Sequence, residues 1–194
     1  MPGHVTLEIL LKLPIEALIR CRMANPIYIS NPIAGDYLTL PNGETKPDGQ
    51  FVSRFGSSPK TKQYKVVKYS DFVEIYTLGS GGWRRIEHVP PARHRSLFGT
   101  FVNGALHWLI KLPNGSVLRS FDLENEQFRA IPLPSSRVYY ASFKRSNLGI
   151  FGDCLSLSSI GMYASDWDIE IWVMKEYGVK ESWTKQLVIK SPSP

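Results

Sequence analysis

From Pro26 onward the chain repeats itself, and that repeat constrains the fold more than any other feature. A strand, a turn and an aromatic or apolar return strand closing towards Pro or Lys recur four times, over residues 27–41, 73–90, 118–134 and 169–188. With Tyr28, Tyr76, Phe121 and Trp172 taken as equivalent, the intervals are 48, 45 and 51 residues. Periods of roughly 40–50 residues holding several strands each are the sequence pattern of β-propeller blades. The competing arrangement is a β-sandwich with irregular hairpins.

The local pattern agrees with a mainly β chain. Short β-branched or aromatic runs alternate with Gly, Pro, Asn and Ser, which marks strands and turns. Residues 27–30 read as a strand returning over 36–40, and 64–69 face 72–78 across Ser70-Asp71. Residues 98–102 and 105–110 flank Asn103-Gly104, the preferred dipeptide of a type I′ hairpin, in which both central residues need positive φ. In the run 168–174, Ile169, Ile171 and Val173 line one face while Trp172 and Met174 line the other. Apolar residues on both faces fit a sheet covered on both sides.

Residues 4–22 differ. Leu7, Leu10, Leu11 and Leu13 share one side of a short helix, which Pro14 ends or restarts. Ile15, Leu18 and Ile19 then recur at helical spacing. Two helices this short do not fold alone and need packing partners. The chain of 194 residues therefore reads as one β domain preceded by a small helical module.

Composition excludes several classes. With 43% hydrophobic and 21% charged residues the chain has globular composition. No run approaches the ~20 apolar residues of a membrane span, and Glu8 and Lys12 interrupt any signal-peptide core, so no membrane partner is expected. Cys21 and Cys154 are too few for a disulfide scaffold or a four-ligand zinc site. A reducing compartment, cytoplasmic or nuclear, follows as an expectation. The net charge of +6 falls in the window 54–95, with nine Lys or Arg against three acids. Tyr64, Tyr69, Phe72 and Trp83 near it suit sheet packing better than base stacking, which disfavours nucleic acid.

No motif points to chemistry. His4, His88, His94 and His107 lack ligand spacing, and His107 reads as a strand histidine bonded to backbone. Gly79-Ser80-Gly81-Gly82 is followed by strand-like Trp83-Arg84-Arg85-Ile86 rather than a helix, so it reads as a hairpin turn, not a phosphate loop. Asn114-Gly115-Ser116 reads as a turn. No catalytic, cofactor-binding or metal-binding residue is assigned, and the chain is expected to be no enzyme and to need no cofactor.

Two sets of residues carry a resemblance. Leu7-Glu8-Ile9-Leu10, Leu13-Pro14-Ile15 and Leu18-Ile19-Arg20-Cys21-Arg22 resemble the first half of an F-box, the helical motif that docks on the Skp1 adaptor of SCF ubiquitin ligases. Beyond it, the order of Tyr28-Ile29-Ser30-Asn31-Pro32, Phe101-Val102-Asn103-Gly104-Ala105-Leu106-His107-Trp108 and Ile169-Glu170-Ile171-Trp172-Val173-Met174 resembles the kelch-like F-box-associated interaction domain of plant S-locus F-box proteins. After Arg22, Met23-Ala24-Asn25-Pro26 leads straight into a strand where the F-box would continue.

The resemblance implies a partial F-box over 1–24, an F-box-associated β domain over 25–190 and a disordered tail over 191–194. The fold expected is an incomplete kelch-like β-propeller of roughly four blade-like repeats after two short N-terminal helices. It implies a non-enzymatic substrate-recognition subunit of an SCF-type ligase, contacting a Skp1-like adaptor and through it a cullin. Skp1 contact is implied for Pro2, Ile9, Leu10, Leu13, Pro14, Leu18 and Ile19. An unidentified target protein would bind β-domain loops, for which 42–50, 79–82, 90–96 and 135–146 are candidates, with Arg93, His94 and Arg95 in the third. The alternative is an isolated protein-interaction module or inactive remnant that does not recruit Skp1.

Overall fold

The computed structural model describes residues 27–30, 37–44, 52–70, 72–86, 94–95, 100–112, 115–134, 146–163 and 166–190. The expected N-terminal helices, the seven implied Skp1 contacts, Arg93 and the 191–194 tail lie outside the described residues. The chain divides into two compact units, residues 1–91 and 92–194.

In the first unit, β1 (Tyr28–Ser30) and β2 (Tyr37–Thr39) form a two-stranded sheet. β3 (Val52–Ser57), β4 (Tyr64–Tyr69), β5 (Val73–Thr77) and β6 (Trp83–Ile86) follow as a four-stranded antiparallel meander. Strand alternation sends Phe55, Val66, Tyr76 and Trp83 to one face. There they form a core with Ile27, Ile29, Leu38 and Leu40 of the first sheet. Fully burying a Val, Leu, Ile or Phe contributes about 1.5–3 kcal/mol, so this shared core is what two short strands need to persist.

The second unit holds two larger sheets. β7 (His94–Arg95), β8 (Thr100–Val102), β9 (Ala105–Leu112), β10 (Gly115–Asp122) and β11 (Gln127–Ile131) form a five-stranded sheet. β7 and β8 share one edge of β9, pairing with its far and near halves, while β10 takes the other edge. His94 and Arg95 therefore sit on a strand, opposite Lys111 and Ile110, rather than in the free loop expected over 90–96. Two residues of pairing leave too short a hydrophobic pattern to read from sequence.

β12 (Asn147–Phe151), β13 (Cys154–Tyr163), β14 (Asp166–Met174) and β15 (Trp183–Lys190) make a four-stranded meander. Its Leu148, Leu155, Leu157, Met174 and Trp183 join Val102, Leu109, Leu118, Ile131 and Leu133 in one core.

The four sheets of antiparallel strands match a β-propeller, and they bear on the repeat directly. Tyr28, Tyr76, Phe121 and Trp172 fall on β1, β5, β10 and β14, each the strand before the last of its sheet. The β8–β9 turn has φ of 50° at Asn103 and 70° at Gly104, as a type I′ turn demands. Val173 and Met174, on opposite faces of β14, are 0% and 2% exposed, so the C-terminal end of this strand is covered on both sides.

A second regularity links sheets within each unit. The Trp83 indole N–H donates to the Pro41 carbonyl at 2.6 Å, and that of Trp183 to the Pro132 carbonyl at 2.8 Å. In both cases the tryptophan opens the last strand of one sheet and its acceptor lies just beyond the last strand of the preceding sheet.

Candidate interaction surfaces

In the first unit, the register sets Ser53, Lys68, Glu74 and Arg85 side by side across β3–β6. Lys68 and Glu74 are each 1% exposed, with Nζ 3.6 Å from Oε2. The Lys68 ammonium also lies 4.4 Å from the centroid of the Trp83 ring. Burial pushes the Lys68 pKa down, and the charge and hydrogen bond of Glu74 work against that shift.

Glu74 also accepts a hydrogen bond from the backbone N–H of Glu44 at 2.6 Å. The adjoining Gly43 leaves no room for a side chain, because a Cβ there would lie 2.4 Å from Glu74 Oε1. On the exposed side, Arg85 reaches the Glu44 carboxylate at 3.5 Å and covers the Phe72 ring at 4.2 Å. With Trp83 on Pro41, these contacts strap residues 41–44 to the sheet and fix the base of the 42–50 connection. The chemistry is anchoring.

In the second unit, the equivalent cross-strand row is Thr100, His107, Ser120 and Arg129. His107 is fully buried, with Nδ1 3.4 Å from the Thr100 carbonyl and Nε2 2.7 Å from the Tyr177 hydroxyl. A carbonyl only accepts, so Nδ1 carries the proton and Nε2 accepts from Tyr177. Burial lowers the His107 pKa to about 4, against the hydrogen bonds to Thr100 and Ala105, so the ring is neutral near pH 7. Tyr177 is pushed up, chiefly by burial, while a hydrogen bond from Ser120 opposes the shift. Both ring nitrogens are thus committed to structure, as expected for a strand histidine.

Tyr177 belongs to the β14–β15 connection, residues 175–182, which is tied to itself. Lys175 N–H donates to the Ser182 carbonyl at 3.2 Å, Val179 N–H to Glu176 at 3.1 Å and Ser182 N–H to Val179 at 3.2 Å. The Ser182 hydroxyl lies 2.8 Å from both the Glu176 and Val179 carbonyls. This connection was not among the sequence-derived loop candidates, although its Gly178, at φ 83°, is a turn signal.

The loop candidates divide by topology. The turn 79–82 joins β5 to β6, as expected of a hairpin. The other three fall between sheets, except that 94–95 of the third are β7 itself, and 45–50, 90–93, 96 and 135–145 lie outside the described residues. Among the described residues, no group of three or more His, Cys, Asp or Glu is placed to hold a metal. No described helix is long and apolar enough to cross a membrane.

Sheets of sequential hairpins, anchored connections and polar turns describe a β scaffold. Comparison with known proteins gives that scaffold a family. Residues 4–193 match the family described as the F-box associated beta propeller domain, a span that takes in the N-terminal stretch as well as the strands, and the chain belongs to this family.

Among its Arabidopsis thaliana relatives, F-box protein At3g07870 is 31% identical over 87% of this chain and 47% of its own length. F-box protein CPR1 is 24% identical over 80% of this chain and 44% of its own. F-box/kelch-repeat protein At3g23880 is 28% identical over 84% and 47% respectively. The chain thus spans just under half the length of these curated relatives.

Proposed function

We propose that this chain serves in a substrate receptor of an SCF-type ubiquitin ligase, in the cytosol or nucleus, with its β-sheet turns and connections holding the protein to be modified. The family match over residues 4–193 carries this reading. Such a receptor performs no bond chemistry of its own. It holds a target beside the catalytic subunits, and the resulting effective concentration is its contribution. Sheets joined by short turns and longer connections suit that task, because recognition residues concentrate on loops set by a scaffold.

Adaptor contact through Pro2, Ile9, Leu10, Leu13, Pro14, Leu18 and Ile19 rests on the resemblance of residues 2–22 to half an F-box. A second reading, an interaction module that binds proteins without recruiting Skp1, draws on the description of the matched family as the domain associated with the F-box. Co-expression with a Skp1 partner followed by purification separates them. Retention of Skp1, reduced by Leu10→Asp or Leu13→Asp, is the outcome expected of the receptor. Failure to retain it, while an intact F-box control does, overturns adaptor recruitment and leaves the module.

A further inference from the structure

Among the described residues, the large exposed apolar side chains fall in three places: Tyr28 and Tyr37 on the first sheet, Leu187, Val188 and Ile189 along the edge strand β15, and a third group beside two turns of the second unit. Ile150 and Phe151, beside the β12–β13 turn, are 52% and 46% exposed, and Tyr177 and Val179, on the β14–β15 connection, are 38% and 40% exposed. Both connections lie at the same end of one sheet, because Phe151 pairs with Cys154 and Met174 with Trp183. The corresponding turns of the β3–β6 sheet, 58–63 and 78–82, hold none of the large exposed apolar residues and carry Lys60 and Lys62 instead.

The β10–β11 turn belongs to the same surroundings. Tyr177 bonds to His107, and His107 pairs with Ser120 of β10, two residues before Asp122, while Arg129 of β11 pairs with the same Ser120. The Asp122 carboxylate accepts from the backbone N–H groups of Glu124 at 2.8 Å and Asn125 at 3.2 Å. Burial raises its pKa, but these bonds, the Asn125 side chain and Arg129 outweigh that and hold it below the usual carboxylate range. It is therefore a fixed negative charge near pH 7.

The three turns and the strand ends beside them carry Asp122, Glu124, Glu126, Asp153, Glu176 and Glu181, against Arg129, Lys175 and Lys180. Six carboxylates against three cations make this end acidic in a chain whose net charge is +6. The reversal of sign is local, and it coincides with this one of the three apolar groups.

We propose that this end of the second unit, with Ile150, Phe151, Tyr177 and Val179 inside an acidic rim, is a docking surface for a basic protein segment carrying apolar anchor residues. The proposal deepens the receptor reading above and rests on it for the identity of the segment as part of a target. Two features favour a protein segment. The β14–β15 connection is held by its own hydrogen bonds and by the Tyr177–His107 bond, so little ordering remains to oppose binding. Apolar anchors within a charged rim reproduce the usual anatomy of a protein interface, where the centre supplies affinity and the rim supplies selectivity and association rate.

Fluorescence anisotropy on the full chain tests it with three synthetic peptides of one length. The first carries Leu and Phe anchors among Lys and Arg; the second has the same anchors among Asp and Glu; the third is basic with Ser in place of the anchors. The first should bind, and more weakly as salt rises, while the other two bind at least ~10-fold less well. Ile150→Ser with Val179→Ser should weaken it by roughly tenfold. Glu176→Lys with Glu181→Lys should move the preference towards the acidic peptide. All four positions are exposed, and matching thermal unfolding curves verify that the variants fold.

Equal binding of the three peptides, binding untouched by either double variant, or no binding by any peptide overturns the proposal. Skp1 retention reads the receptor function separately, so loss of one result leaves the other standing.

Discussion

The indole of Trp183 donates its N–H to the carbonyl of Pro132 across 51 positions of sequence, as Trp83 does to Pro41 across 42. Each ring joins a hydrophobic core and completes the hydrogen bonding of a chain segment that has just left the neighbouring sheet. One residue thereby couples burial to the positioning of a connection. Trp183→Phe should keep most of the packing, lose the bond and lower stability by about 1–2 kcal/mol. Trp183→Ala should cost about 3–5 kcal/mol through the cavity it leaves. Urea denaturation followed by far-ultraviolet circular dichroism distinguishes the two steps.

The buried Lys68–Glu74 pair gives a different signature. Removing one partner, as in Lys68→Met, strands the Glu74 charge in the core, and a loss of about 3–5 kcal/mol is expected. Lys68→Met with Glu74→Leu removes both charges and should recover much of that loss, though the Glu44 N–H then lacks its acceptor. A double-mutant cycle from equilibrium unfolding measures the coupling. Independent, additive losses would show that the pair is not one unit.

Gly43 tests the same site from the backbone. A methyl group there meets the Glu74 carboxylate at 2.4 Å, and that carboxylate is held by Lys68 and the Glu44 N–H. Gly43→Ala should therefore destabilise by about 1–3 kcal/mol. Combining it with a shorter partner, Glu74→Asp, should cost less than the sum of the two changes.

His107 makes stability depend on pH in a defined window. Its pKa falls from 6.5 when unfolded to about 4 when folded, so the unfolded state takes up a proton first as pH drops. Stability present above pH 6.5 is therefore lost progressively towards pH 4, by an amount on the order of 3 kcal/mol. His107→Gln cannot titrate and should flatten this portion of the stability–pH curve while lowering its neutral-pH level. A variant curve parallel to wild type between these limits would rule out His107 as the source.

Tyr177→Phe isolates the bond that ties the β14–β15 connection to β9. It leaves Nε2 of His107 without its donor, at about 1–3 kcal/mol. Hydrogen exchange should quicken across residues 175–182 more than within β9. Exchange unchanged there would mean that the connection is held by its internal hydrogen bonds alone.

How much of this was legible depends on sequence distance. Asn103-Gly104 announces its turn because the positive φ is a property of those two residues. The equivalence of Tyr28, Tyr76, Phe121 and Trp172 is legible because a repeat compares the chain with itself, and all four occupy the same strand position in their sheets.

The Lys68–Glu74 pairing follows from a hairpin around Ser70-Asp71, but its burial does not. What lies over Glu74 is backbone at residues 43–44, some 30 positions away. The bond from His107 to Tyr177 spans 70 positions and joins two residue types with many other uses. His94 and Arg95 look like loop because two paired residues carry no periodicity. The apolar, acidic end of the second unit is assembled from three separate turns, each unremarkable alone.

The order in which strands pair has a kinetic consequence. Among the described residues, every strand apart from β7, which pairs past β8 to β9, lies beside a neighbour in sequence. Pairing of this kind closes short loops and forms early, whereas docking one finished sheet on the next joins distant residues and comes late. A chain emerging from the ribosome can complete each meander before the next is synthesised. The tryptophan contacts to Pro41 and Pro132 belong to the later docking step. Weakening them is expected to speed unfolding far more than it slows folding, so these two rings set how long the assembled sheets persist.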